Sequence, residues 1–287
     1  MKNLVLLSLI LIYRLTASGQ SVLDNLVKKD TMKFQPDTEP TEITPVWQTL
    51  READIAWDKR VWRVIDLGEK VNAPLKYPLS GSVAGRKNLI TVLYDAFKNG
   101  ELMAYSYEDD EFTRIITLTE LESRGGARVD TIEMPDSVPP YNTHPEIVNV
   151  NFDPDKVIGY RIKEDWYFDK QRSVMEVRIT GIAPLIYMRD ENGSIREGNI
   201  KMPLCWFYYP DARKVLQKSP VFIRENLAQN LTMDDFFEKR MFGSYIVKES
   251  NVYDRRIEDY TTGVSALLES ERIKGEIVNF EHDLWEF

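Results

Sequence analysis

Apolar positions recur at helical spacing in the block from Asp54 to Leu79, which reads DIAWDKRVWRVIDLGEKVNAPLKYPL. On a helical wheel of residues 54–67, apolar side chains fill about half of the circumference and charged ones occupy the other side. The pattern predicts an amphipathic helix that ends at Gly68, followed by extended chain because Pro74 and Pro78 disfavour a helix. Its apolar face either packs on a core or presents two tryptophans as an anchor for another protein.

Helical spacing recurs in three later segments. Asn88–Lys98 predicts a second helix, and Pro210-Asp211 opens another that runs through Leu216. The last begins after Gly263 and has apolar residues on two opposite faces: Val264, Leu267, Leu268 and Val278 on one, and Ala266, Ile273 and Ile277 on the other. A helix that is apolar on two faces packs against two surfaces, and the second surface belongs either to the core of the same chain or to another subunit.

The middle of the chain alternates apolar and polar residues, which is typical of β-strands. The predicted strands are Leu102–Tyr107, Phe112–Leu118, Val157–Ile162, Trp166–Phe168, Ser173–Thr180, Ile182–Met188, Ile195–Lys201 and Leu204–Tyr209. Asn192-Gly193 predicts a hairpin turn, Pro184 an edge strand or a bend, and Ser123–Tyr141 a loop. These patterns together predict an α+β fold, in which helical N-terminal and C-terminal parts flank a mostly antiparallel β-sheet.

The start of the chain predicts a secretory signal peptide over residues 1–19. Lys2 is followed by an uncharged apolar run, Leu4–Tyr13, which is about half as long as a membrane span. Cleavage after Gly19 leaves residues 20–45 as an extended or flexible arm, either disordered or ordered on a neighbouring subunit. Residues 46–287 are expected to form one domain. Because no cysteine follows the apolar run, we expect no lipid anchor on this chain itself.

The residues that could carry chemistry form no catalytic or metal-binding pattern. Cys205, the single cysteine, lies in an apolar and aromatic run and is expected to be a buried thiol. His144 and His282 are the two histidines, and neither has a metal-ligand spacing. We therefore expect no enzyme activity, no metal and no cofactor. A net charge of −9 disfavours nucleic acid and anionic lipid as partners, and no later segment predicts direct insertion into a membrane.

Two acidic clusters, Asp109-Asp110-Glu111 and Asp234-Asp235, are candidates for paired carboxylates. Adjacent residues point to opposite faces of a strand and lie about 100° apart on a helix, so neither cluster aims two carboxylates at one point. We interpret the first as a solvated turn. The second follows Thr232 and indicates a helix start whose carboxylates complement the helix dipole.

A long motif identifies a family resemblance. The block W-D-K-R-V-W-R-V-I-D-L-x-E-K-x-N-x-P-L-x-Y-P-L resembles the signature of the GldN family, called PorN in other species, of the gliding-motility and type IX secretion machinery of Bacteroidota. The likeness continues in order through LITVLYDAFKNG, VIGYRIKEDWYF, IAPLIYM, PLCWFYYPD and MDDFFEKRMFGSYIV. It therefore covers nearly the whole chain after the signal peptide, and many positions must match at once.

The resemblance implies a non-catalytic structural subunit in the periplasm, held at the outer membrane by a lipoprotein partner, GldK/PorK. It also implies self-association into a ring with that lipoprotein, and contact with the periplasmic part of the motor protein GldM/PorM, which works with GldL/PorL. The number of subunits in such a ring and the surface that binds each partner are not implied.

Candidate interface residues follow from the two amphipathic segments. We expect the first segment to present an exposed flank, and the terminal helix to present a second face; the candidates are Trp57, Arg60, Trp62, Arg63, Leu267, Ile273 and Ile277. The alternative hypothesis is an exported carbohydrate-binding module with an aromatic platform on the sheet, formed by Trp166, Tyr167, Trp206, Tyr208 and Tyr209. Such a platform must be exposed and coplanar, whereas the same residues in a core must be buried.

Overall fold

The computed structural model describes residues 47, 50–79, 86–135, 143–190, 194–221 and 231–283. The predicted signal peptide and arm lie outside the described residues, as do Asn192-Gly193 at the predicted hairpin turn. The strands are β1 Ile55–Asp66, β2 Ala104–Tyr105, β3 Arg128–Pro135, β4 Thr143–Val150, β5 Gly159–Asp169, β6 Val174–Tyr187, β7 Lys201–Pro203, β8 Trp206–Tyr208 and β9 Tyr245–Glu249. The α-helices are α1 Ala73–Lys76, α2 Leu89–Lys98, α3 Leu118–Arg124, α4 Tyr209–Leu216, α5 Met233–Glu238 and α6 Val264–Asp283.

A seven-stranded sheet organises the fold. Its strand order is β2-β8-β6-β5-β1-β9, β7 pairs with β6 beside β8, and every pair is antiparallel. Strands β3 and β4 form a separate antiparallel hairpin. Helices and a mostly antiparallel sheet confirm the predicted α+β class.

The tryptophan block is a strand, so the helix predicted for residues 54–67 is wrong. Strand β1 lies between β5 and β9, and Val61 to Ile65 are buried on both faces of the sheet. A strand that is covered on both faces shows a continuous apolar run, which periodicity cannot distinguish from a buried helix. Its β-branched and aromatic content favours the strand.

Several further segments differ from the sequence-based expectation. Of the predicted strand Ile195–Lys201, Ile195 forms an isolated bridge to Arg189 and Lys201 begins β7. Phe112–Leu118 is not a strand: Ile115 forms an isolated bridge to Tyr105, and Thr117 is the N-cap of helix α3, whose capping box Glu120 completes. The predicted loop Ser123–Tyr141 contains the end of α3 and all of β3. Strand β6 lies inside the sheet and is not an edge strand. Pro184 lies between the part of β6 that pairs with β8 and the part that pairs with β7, so its missing N–H costs no hydrogen bond to either strand.

Two apolar clusters pack on one face of the sheet. The larger lies between the sheet and helices α2, α4 and α5, with Tyr160, Phe207, Tyr209 and Phe237 almost fully buried. The smaller lies under α6 and contains Val61, Ile246, Ile257, Ile273 and Ile277. The opposite face carries a small aromatic cluster, in which Trp62, Ala183 and Trp206 pack with Tyr105, Phe112 and Val247.

Candidate functional site

The charged residues predicted for an exposed flank are divided between the two faces of β1. Arg60 is exposed, and its Nε donates to Asp165 Oδ1 at 2.5 Å. Arg63 is buried on the other face, where its Nε donates to Ser244 Oγ at 3.0 Å. Trp62 is also buried. The prediction of a flank in which Trp62 and Arg63 are exposed is therefore wrong, because successive side chains of a strand point to opposite faces.

Arg63 belongs to a buried charge cluster that helps to hold the fold. The Glu164 carboxylate is completely buried, accepts a hydrogen bond from Trp166 Nε1 at 3.0 Å, and pairs with Arg240 Nη1 at 3.0 Å. Burial lowers the pKa of Arg63, and the negative charge of Glu164 opposes that shift. Glu164 and Arg63 are therefore held inside the protein, and Arg240 is the partly exposed member of the cluster.

Helix α6 separates its two apolar faces as the sequence predicts. Ile273 and Ile277 are buried against the sheet, and Trp57 stacks on Phe280 with ring centroids 4.6 Å apart. Ser270 Oγ accepts the backbone N–H of Ile246 at 2.8 Å, so the helix also covers the outer edge of β9. An extra subunit contact through Ile273 or Ile277 would require this packing to open.

The opposite side of α6 carries an apolar stripe that faces away from the protein. We call it the outer stripe; it consists of Val264, Leu267, Leu268 and Val278, whose exposed fractions are 73%, 55%, 66% and 44%. Val264, Leu267 and Leu268 are neighbours on this face, whereas Val278 lies further along it, beyond the exposed Glu271. Scattered exposed leucines are ordinary, but neighbouring apolar residues on one helix face form a surface that a partner could bury. Of the candidates on α6, Leu267 is the one in this stripe.

A charged cleft of about 860 Å³ opens on the sheet face that the helices leave uncovered. We call it the sheet cleft; its basic lining residues are Arg60, Arg161, Lys163, Lys248 and Arg256, and its acidic ones are Asp58, Glu108, Asp109, Asp110, Glu111, Asp254 and Asp259. The charges alternate along β5 as Arg161, Lys163 and Asp165. That period-two pattern was visible in the sequence and could have indicated a polar sheet face.

Trp62 and Asp110 build the floor of the sheet cleft. Trp62 Nε1 donates to Asp110 Oδ2 at 2.5 Å, and Lys248 Nζ lies 4.4 Å from the Trp62 ring centroid. Lys163 Nζ donates to the Asp110 carbonyl oxygen at 2.6 Å. Burial lowers the pKa of Lys163, and the charge of Asp110 opposes that shift. These contacts attach the turn that contains Asp110 to the sheet. The interpretation of this cluster as a solvated turn is therefore wrong for Asp110.

The proposed aromatic platform is contradicted by burial. Tyr167, Trp206 and Tyr209 are buried, while Tyr208 is partly exposed and packs edge-on against Phe112 at 5.4 Å. The Trp166 indole donates to Glu164. These rings pack against the core or against neighbouring side chains, so they do not present a coplanar surface to a sugar.

The remaining chemical groups hold the structure. Cys205 is buried, and burial raises the pKa of its thiol, as expected for an inert core cysteine. Asp235 completes a capping box with Thr232, while Asp234 is buried and pairs with Arg213 at 3.2 Å. Over the part of the chain that the structure describes, no three His, Cys, Asp or Glu side chains come together as a metal site, and no helix is both long and apolar enough to cross a membrane.

Comparison with known proteins identifies the family. A search of curated proteins found no match. The family model described as gliding motility associated protein GldN matches residues 50–286, which include β1, the sheet cleft and helix α6. Because this match covers most of the chain, the protein belongs to the GldN family of gliding motility associated proteins.

Proposed function

We propose that this protein is a non-catalytic structural subunit of the type IX secretion and gliding apparatus. The observation that carries the proposal is the match to GldN over residues 50–286, because GldN is a gliding motility associated structural family and not a known enzyme family. The engagement of Asp110, Glu164 and Asp234 in internal contacts supports a structural role for these carboxylates.

The finer proposal concerns location and partners. The signal-peptide pattern at the start of the chain supports export to the periplasm. There the protein is held at the outer membrane by a GldK/PorK-type lipoprotein, with which it builds a ring, and it contacts the periplasmic part of a GldM/PorM-type motor protein. These partners are the ones that the family resemblance implies.

In a ring of identical subunits, each subunit has two different patches, and the first patch of one copy contacts the second patch of the next copy. The outer stripe of α6 supports one such patch, since its leucines are apolar, exposed and fixed on a helix whose other face is anchored in the core. Arg60 on the uncovered sheet face lies on the opposite side of β1 from α6. It is therefore a candidate for the second patch.

Co-expression tests the ring directly. The exported chain would be produced with the GldK/PorK-like lipoprotein of its host, lacking the lipidated cysteine, and the mixture would be measured by sedimentation velocity and negative-stain electron microscopy. The proposal predicts a particle many times larger than the 33.4 kDa chain, containing both proteins. Two separate monomers over the whole concentration range would contradict it.

A further inference from the structure

Arg161 is the cation of the sheet cleft whose charge has no carboxylate at ion-pair distance among the described residues. The other four cations that line the cleft each have such a partner. These pairs are Arg60–Asp165 at 2.5 Å, Lys163–Asp110 at 3.6 Å, Lys248–Asp254 at 2.5 Å and Arg256–Glu258 at 3.1 Å. The cleft therefore contains one positive charge that the surrounding structure does not pair.

The Arg161 guanidinium also has an unsatisfied hydrogen-bond donor. Its Nε is buried and has no hydrogen-bond partner. A buried donor without a partner is costly and is found in few places in folded proteins, often where an ion or ligand completes the contact. Arg161 lies in the middle of the sheet, opposite Val64 on β1 and Ala183 on β6. Neither neighbour carries a side-chain acceptor.

The two acids whose charges act on Arg161, Glu258 and Asp110, are already engaged. Burial lowers the pKa of Arg161, the positive charge of Arg256 lowers it further, and Glu258 and Asp110 oppose the shift from a distance. Glu258 accepts from Arg256 Nη1, and Asp110 accepts from Trp62 Nε1 and Lys163. Turning either acid toward Arg161 would break an existing ion pair, so the protein gains no charge compensation by rearranging.

We propose that the sheet cleft binds a carboxylate group on Arg161. Planar guanidinium groups match carboxylates with two parallel hydrogen bonds, and the volume of the cleft falls in the range of ligand sites. The acidic side chains of the cleft outnumber the basic ones, so a multiply charged phosphate would be repelled more strongly than a group with one negative charge. We therefore expect a single carboxylate held at Arg161. The carboxylate is either an acidic side chain of a partner protein or a small organic acid.

The test uses the isotope-labelled full chain after export and follows the Nε–H signal of Arg161 by nuclear magnetic resonance. Loss of that signal in Arg161→Met assigns it. Sodium acetate is titrated against sodium chloride at constant ionic strength. We expect a saturable shift of the Arg161 signal with acetate and not with chloride. The indole N–H signal of Trp62, which lines the same cleft, reports acetate binding in the Arg161 variants. Arg161→Lys keeps the charge but loses the planar fork, and its acetate affinity should be weaker on the order of tenfold.

Lys248→Met is the matched control, because Lys248 lines the same cleft but is paired with Asp254 and has no place in the proposed subunit contacts. It should keep the acetate response of Arg161. Arg161→Met removes an unpaired buried charge and should unfold at a urea concentration at least as high as the parent, so loss of binding cannot be attributed to misfolding. An Arg161 signal that ignores acetate, or that moves equally with chloride, overturns the proposal.

A second measurement distinguishes the two sources of carboxylate. Partners that co-purify with Lys248→Met but are lost from Arg161→Met identify a protein carboxylate, whereas unchanged partners together with acetate binding identify a small organic acid. Both outcomes support the site. The acetate titration needs no partner, so a failure of the ring proposal would leave this result unchanged.

Discussion

Leu268→Glu should prevent subunit assembly while leaving the fold intact. Leu268 lies in the outer stripe and is 66% exposed, so its side chain makes few contacts within the subunit. Full burial of a leucine contributes about 1.5–3 kcal/mol, and the exposed share leaves roughly 1–2 kcal/mol for a partner to gain. Placing a carboxylate in the same contact adds a desolvation cost, which brings the expected loss to about 2–4 kcal/mol per interface. That loss corresponds to a dissociation constant roughly 30- to 1,000-fold higher.

Ser265→Glu is the matched control, because Ser265 is an exposed residue on the same helix that lies off the stripe and receives the same new charge. Both variants should keep a urea unfolding midpoint close to that of the parent, since exposed substitutions usually change stability by less than about 0.5 kcal/mol. Sedimentation velocity with the lipoprotein partner then measures assembly. The expected result is assembly by Ser265→Glu and not by Leu268→Glu.

Two outcomes would refute this reasoning. If Leu268→Glu assembles as well as Ser265→Glu, the outer stripe is not a subunit contact. If Leu268→Glu unfolds at much lower urea, the stripe is packed within the subunit and the exposure on which the argument depends is wrong. Ile273→Glu provides the positive control for unfolding, because Ile273 is fully buried on the inner face of α6.

Three further predictions concern the folded subunit. Asp234→Ala should lower the free energy of unfolding by about 3 kcal/mol, because it removes the buried acceptor of Arg213, Tyr209 and Gln217 and leaves Arg213 only the partly exposed Glu238 at 3.5 Å. A urea midpoint equal to that of the parent would exclude this role. The Cys205 thiol should react with a thiol reagent only as the chain unfolds, because it is buried and burial raises its pKa; rapid labelling in native buffer would contradict this, and urea should restore labelling. Burial raises the pKa of Tyr167 to about 12 from 10.0, so its contribution to stability is present below pH 10 and is lost as the pH rises toward 12. Urea unfolding at pH 9 and pH 11 should show this loss, and Tyr167→Phe should reduce it.

The sequence predicted the elements whose pattern is local. Helix α6 needed only its own residues to reveal two apolar faces, and the structure places Ile273 and Ile277 inside and Leu267 outside. The start of α5 at Thr232 could also be predicted, because a capping box involves two residues that are three positions apart.

The elements that depend on distant partners were not predictable in this way. Strand β1 pairs with β5 and β9, which are far away in the chain, and the run Val61 to Ile65 is apolar on both faces for that reason. The sheet cleft was missed because it brings together β1, β5, β9 and the turn that contains Asp110. Local spacing does not show which charges will be paired, so the unpaired state of Arg161 appears only in three dimensions.

We propose that this chain is built into a larger envelope assembly. The most direct measurement is affinity purification of the tagged chain from gently solubilised envelopes of its native host, followed by identification of the co-purifying proteins by mass spectrometry. We expect a GldK/PorK-like lipoprotein as the main partner, with a GldM/PorM-like protein in smaller amounts. Recovery of the chain alone as a monomer would contradict it.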